Sequence, residues 1–173
     1  MFVEFLGSLA SLLLRDLLFL AVLAAIIAPL CVKKRATAAV LKRNFVGYFS
    51  NPTGYVFLCV FVLLTSFVAF WPHEFFNANL GNLDQLNRYL PFIMLVFIPT
   101  ITMSIWAEER RQGTDELLLT LPAADFDIVV GKYIAAAAIF TASLLFSQFC
   151  NFAVLGSLTL GDLDTGLFFS TYL

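Results

Sequence analysis

Residues 53–71 read TGYVFLCVFVLLTSFVAFW, an apolar run with no charge in it. A helix that crosses the hydrocarbon core of a bilayer needs about 20 such residues. The alternative is an ordinary soluble domain, which the length of 173 residues would suit. Composition argues against it. Charged residues make up 13% of the chain, about half the share of roughly 25% usual in soluble domains. Hydrophobic residues make up 61%, twenty of them phenylalanine, and the mean hydropathy is +0.91. So few charges cannot cover so much apolar surface in water, whereas lipid removes the need for a polar exterior. The expected fold is all-α, a polytopic bundle of transmembrane helices.

Further spans lie on either side. Residues 90–106, LPFIMLVFIPTITMSIW, form one, with Pro91 near its start and Pro99 as a predicted kink. Residues 134–157, IAAAAIFTASLLFSQFCNFAVLGS, form another, rich in small residues. Residues 17–32, LLFLAVLAAIIAPLCV, form a shorter one with Arg15 and Asp16 at its start and Lys33, Lys34 and Arg35 at its end. Basic residues follow that run instead of preceding it, so it reads as a retained anchor and not as a cleaved signal peptide. Residues 167–173, LFFSTYL, open a further span too short to cross, about 10 Å of helix. The chain is therefore expected to be part of a longer membrane domain.

The loops fix an orientation. Lys33, Lys34, Arg35, Lys42 and Arg43 fall between the first two spans, and Arg110, Arg111 and Lys132 between the next two. The intervening segments hold only Arg88. Basic loops stay cytoplasmic, which places the amino terminus outside. Trp71 and Tyr89 then mark one water boundary, and Tyr55, Trp106 and Tyr133 the other.

Two cytoplasmic segments have patterns of their own. In residues 36–50, Leu41, Phe45, Tyr48 and Phe49 form one helical stripe. Asn51-Pro52 ends it, because the residue before proline resists the helical region. An amphipathic helix in the headgroup plane fits better than a bare basic linker, since stripe and stop signal coincide. Residues 105–123 read IWAEERRQGTDELLLTLPA. The helix of the preceding span can run on to Gln112 and stop at Gly113. Thr114 suits the N-cap of a second short helix, with Asp115 and Glu116 in its first turn. Leu117, Leu118, Leu119 and Leu121 give that helix an apolar side, Pro122 ends it, and Asp125 can cap the next. The leucines rest on lipid or on the chain's own spans, or they dock a cytoplasmic partner; pattern alone supports both.

Chemistry is sparse. No G-x-x-x-x-G-K-[ST] loop is present, so the chain is not expected to hydrolyse ATP by that means. One histidine, His73, and no Cys/His cluster argue against a metal, and no cofactor is expected. Cys31, Cys59 and Cys150 sit inside apolar runs as small hydrophobes. A net charge of -2 suggests no nucleic-acid partner. Arg15 and Asp16 read as the edge of a span and not as a proton relay. Gln148 and Asn151, three apart, can share a face and either bond another helix or line a path, with bonding between helices the commoner outcome. A membrane-bound enzyme is disfavoured, because titratable groups do not cluster.

LKRNFVGYFSNPTGYVFLCVFVLL (41–64) resembles the elbow helix and first span of ABC-2 type permeases. FIPTITMSIWAEERRQGTDELLLTLP (97–122) resembles the signature after their second span, above all in the gliding-motility-type branch, and DIVVGKY (127–133) the approach to their third. The resemblance covers about residues 38–170. It implies a permease domain over 36–173, incomplete against six family spans, with residues 1–35 as an extra anchor. It also implies transport driven by a separate cytoplasmic ATP-binding subunit, a second permease copy or a homologous permease, and a plasma-membrane location. By position, Glu108, Glu109, Arg110, Arg111, Gly113, Thr114, Glu116, Leu117 and Leu118 would fix a coupling helix against that subunit. The alternative is a scaffold that anchors a cytoplasmic partner without transporting.

Overall fold

A computed structural model describes residues 2–71, 84–113, 125–158 and 170–172. All of its regular structure is helical: α1 (Phe2–Lys33), α2 (Arg35–Ser50), α3 (Pro52–Ala69), α4 (Asp84–Gln112), α5 (Asp125–Leu158) and a last turn at residues 170–172. Four of these helices are long and apolar enough to cross a membrane, over Leu6–Pro29, Pro52–Ala69, Leu86–Arg111 and Asp125–Gly156.

The stop signals act where the sequence places them. Asn51 is extended, with φ -96° and ψ 137°, and Pro52 opens α3 at its first position, where its missing N–H costs nothing. The helix α4 continues through both Pro91 and Pro99. Gly113 follows it with φ +63° and donates its N–H to the Arg110 carbonyl at 3.2 Å, the left-handed cap expected of glycine. Asp125 opens α5, and with Asp127 it puts two carboxylates in the first turn, where the helix dipole favours them.

The first helix differs from expectation. Its apolar stretch starts at Leu6 and takes in Arg15 and Asp16 instead of beginning after them. The physical reason is a partner: Asp16 is buried, and Gln148 on α5 donates to its Oδ1 at 3.2 Å. Leu12, one turn earlier on the same face, is fully buried. Leu13, Leu14, Leu17, Leu18, Val22 and Ile26 face outward, which suits hydrocarbon and not water.

The interior has two apolar clusters. One gathers Leu12, Phe61, Leu86, Leu90, Phe97, Leu144, Phe152 and Leu155 from α1, α3, α4 and α5. Phe97 stands edge-on to Phe57 at 4.9 Å and to Phe61 at 5.0 Å, contacts worth about 0.5–1.5 kcal/mol each beyond burial. The other cluster, Ile101, Ile105, Ala136 and Ile139, is covered by Phe45, Tyr48 and Phe49 of α2. The stripe read from spacing is thus a face that α2 buries, but protein covers it where lipid was expected. Glycines make that docking possible. A Cβ on Gly131 of α5 would stand 3.0 Å from the Thr37 carbonyl oxygen and from Val40 Cβ of α2. A Cβ on Gly54 would collide with the Tyr48 carbonyl oxygen, where α2 folds back on α3.

Candidate functional site

The site is the end of the bundle that carries the basic loops, where the stems of the 105–123 segment emerge. Glu109, on the last turns of α4, is only 4% exposed, and Lys132, on the early turns of α5, is 3% exposed. The Lys132 ammonium contacts the Glu109 carboxylate through Oε2. It also lies 3.4 Å from the centroid of the Trp106 ring, over its negative face. Arg43 of α2 brings its guanidinium to 4.0 Å from Glu109 Oε1. One buried carboxylate therefore ties three helices together: α2, α4 and α5. A buried ion pair gains little over apolar packing, but losing one partner strands a charge. The cluster consequently fixes register more than it adds stability.

A second clasp lies beside it. Lys34, in the break between α1 and α2, pairs with Asp127 of α5 and stands 5.3 Å from the Phe126 ring. Tyr48, whose ring meets Phe49 and Phe57, has its phenol pushed up to about 12 by burial, so it stays neutral and serves as packing.

The candidate residues divide. Glu109 points inward, Glu108 is half-buried, and Arg110 and Arg111 are exposed on the last turn of α4. Gly113 ends the helix. Thr114, Glu116, Leu117 and Leu118, with the expected short helix, lie outside the described residues. Sequence reasoning did not single out Lys132, Arg43 or Trp106 as a group. Lys132 counted only as a topology signal, and no spacing rule links it to Glu109, because the pairing is made by the meeting of two helices.

At the opposite end a polar seam joins the helices. At 1.5 Å per residue the stretch from Lys132 to Gln148 is about 24 Å long, and that from Lys34 to Asp16 about 27 Å. There Thr65 and Ser147 share a hydrogen bond at 2.6 Å, and Ser66 donates to Asn151 Oδ1 at 2.6 Å. Asn151 Nδ2 donates to the Tyr172 hydroxyl at 2.5 Å. The expected pairing role of Gln148 and Asn151 is what the geometry shows. These bonds pair polar groups between helices, while Gln148 Oε1 is buried without a partner among the described residues.

Residues 83–160, which take in α4, α5 and the residues between them, match the family model described as ABC-2 family transporter protein. Over that segment the chain is similar to the ABC-2 permease family, which the match supports. With the four long apolar helices, the match supports a multi-pass membrane protein and a permease of the ABC type. No curated protein and no solved structure matches the permease. The matched segment contains both halves of the buried Glu109 and Lys132 pair, whereas Arg43 and the elbow helix α2 lie before it.

Proposed function

We propose that the permease belongs to an exporter in the plasma membrane, with its amino terminus outside, and that a separate cytoplasmic ATP-binding subunit drives it. A second copy or a homologous permease completes the membrane unit. The chain contributes no ATP site; its part is mechanical. The observation that carries this reading is the clasp at the stems of the loop. Glu109 and Lys132 bind the end of α4 to the start of α5, and Arg43 adds the elbow. A push on the loop between Gly113 and Asp125 is then delivered to two spans and the elbow as one body. Rigid delivery lets ATP-driven closure of the partner shift the spans between inward- and outward-facing states. The exposed Arg110 and Arg111, with Glu108, Thr114, Glu116, Leu117 and Leu118, form the surface offered to the subunit. The gliding-motility-type signature in 97–122 is the finer resemblance behind this assignment.

The test is co-expression with the ATP-binding subunit followed by reconstitution in vesicles. Glu108→Ala with Glu116→Ala should abolish permease-stimulated ATP hydrolysis while the complex still inserts. Unchanged stimulation would remove the role given to the loop.

A further inference from the structure

The helix α2 turns outward a face different from the one its apolar pattern suggests. Phe45, Tyr48 and Phe49 pack against Ile101, Ile105, Ala136 and Ile139 of α4 and α5, and Thr37 and Val40 are buried as well. Arg35, Ala39, Lys42 and Val46 remain exposed. They fall at i, i+4, i+7 and i+11, one strip about 16 Å long down the helix.

The strip carries two cations and no acid. The helix contains neither Asp nor Glu. Its other basic neighbours are engaged within the chain: Lys34 faces Asp127, and Arg43 faces Glu109. Arg35 and Lys42 have no acidic partner among the described residues. Position decides what they meet. A single residue joins α2 to a membrane-crossing helix at each end, Lys34 to α1 and Asn51 to α3. Neither end can leave the membrane boundary, so the helix, about 24 Å long, runs along the surface of the leaflet. Tyr55, on the first turn of α3, and Trp106, near the end of α4, are exposed at this level, and such rings settle among lipid headgroups. Headgroups therefore already surround the strip, and anionic ones match it in charge.

We infer that the outward face of α2, through Arg35 and Lys42, docks anionic phospholipid headgroups of the leaflet at the basic end of the bundle. The contact is electrostatic, because the apolar side of the helix is covered by protein and cannot insert into lipid. Each Lys or Arg beside an anionic surface strengthens binding about fivefold, and two together about 25-fold. The strip is independent of the proposed ATP-driven movement, and its test uses the permease alone.

Ala39 lies between the two cations and is exposed, which makes it the reporter. In the full chain with Cys31, Cys59 and Cys150 replaced by Ala, Ala39→Cys carries a fluorophore. The purified permease is reconstituted in phosphatidylcholine vesicles with a titrated fraction of phosphatidylglycerol or phosphatidylcholine that bears a nitroxide quencher near its headgroup. At low salt the phosphatidylglycerol probe should quench at least about tenfold more effectively than the phosphatidylcholine probe. The difference should collapse in about 1 M salt, where the screening length is about 3 Å. Arg35→Gln with Lys42→Gln should erase it. Arg110→Gln with Arg111→Gln takes the same charge from the same end of the bundle and should leave it in place. Equal quenching by the two probes, no quenching by either, or the same loss in both double variants would overturn the inference. Absence of quenching would further show that the strip faces away from lipid and is open to a cytoplasmic protein.

Discussion

Lys132 reaches across from α5 to Glu109 on α4 and lies over the Trp106 ring, so its charge is held by a carboxylate and an aromatic face at once. Lys132→Met removes the closest cation from the buried Glu109 carboxylate, leaving the more distant Arg43, and should lower stability by up to about 3–5 kcal/mol. Lys132→Met with Glu109→Leu should recover most of that loss, because no buried charge of the pair remains and Arg43 is half-exposed to solvent. Denaturant unfolding in detergent micelles measures both. A single variant as stable as the parent would show that the pair holds nothing.

The elbow is held by shape as well as by charge. Gly131→Ala places a methyl group 3.0 Å from the Thr37 carbonyl oxygen and Val40 Cβ, and overpacking of this kind costs about 1–3 kcal/mol. Gly47→Ala, in the same region but facing open space, should stabilise by about 0.5–1 kcal/mol, since alanine suits a helix better than glycine. Thermal unfolding of the two variants should therefore move in opposite directions. Movement of both in the same direction would contradict the tight docking of α2 on α5.

Much of this architecture is legible in the sequence because the bilayer simplifies the problem. Uncharged runs such as 53–71 have one stable environment, and Asn51-Pro52 and Gly113 end helices by local sterics that need no tertiary partner. The misread start of α1 has the opposite character. Arg15 and Asp16 look like a boundary until Gln148, far along the chain, supplies the hydrogen bond that lets Asp16 be buried. The same limit hid the clasp. Glu109 is one of four charged residues in a row, and nothing local distinguishes the one that turns inward from Arg110 and Arg111, which stay exposed. The stripe of α2 was visible, yet what covers it was not, because one apolar face suits lipid and protein alike.

The seam at the far end should behave as inter-helix glue. Asn151→Leu removes the acceptor of Ser66 and the donor to Tyr172 together. Hydrogen bonds between helices in membranes are worth about 0.6 kcal/mol each on average and at most about 1.7. The expected loss is therefore about 1–3 kcal/mol, read by unfolding in micelles, with ATP hydrolysis in the assembled transporter still coupled. Loss of coupling at unchanged stability would mean that these side chains line the path of the substrate after all.

Sidedness is the assumption on which the proposed docking of the ATP-binding subunit depends. Lys34, Arg43, Arg110, Arg111 and Lys132 gather at one end of the bundle, but acids pair with three of them: Asp127 with Lys34, and Glu109 with both Lys132 and Arg43. Orientation follows the count of Lys and Arg near the span ends and not net charge, so the pairs do not weaken the expectation. The exposed side chains Arg110 and Trp71 close successive antiparallel spans at opposite ends of the bundle and make the comparison. In a background with Cys31, Cys59 and Cys150 replaced by Ala, Trp71→Cys should react with a membrane-impermeant maleimide on intact cells. Arg110→Cys should react only after permeabilisation. Labelling of position 110 from outside would put the stems of the loop on the wrong face for any cytoplasmic ATPase and would withdraw the proposed drive, while the clasp between Glu109 and Lys132 would stand as a structural fact.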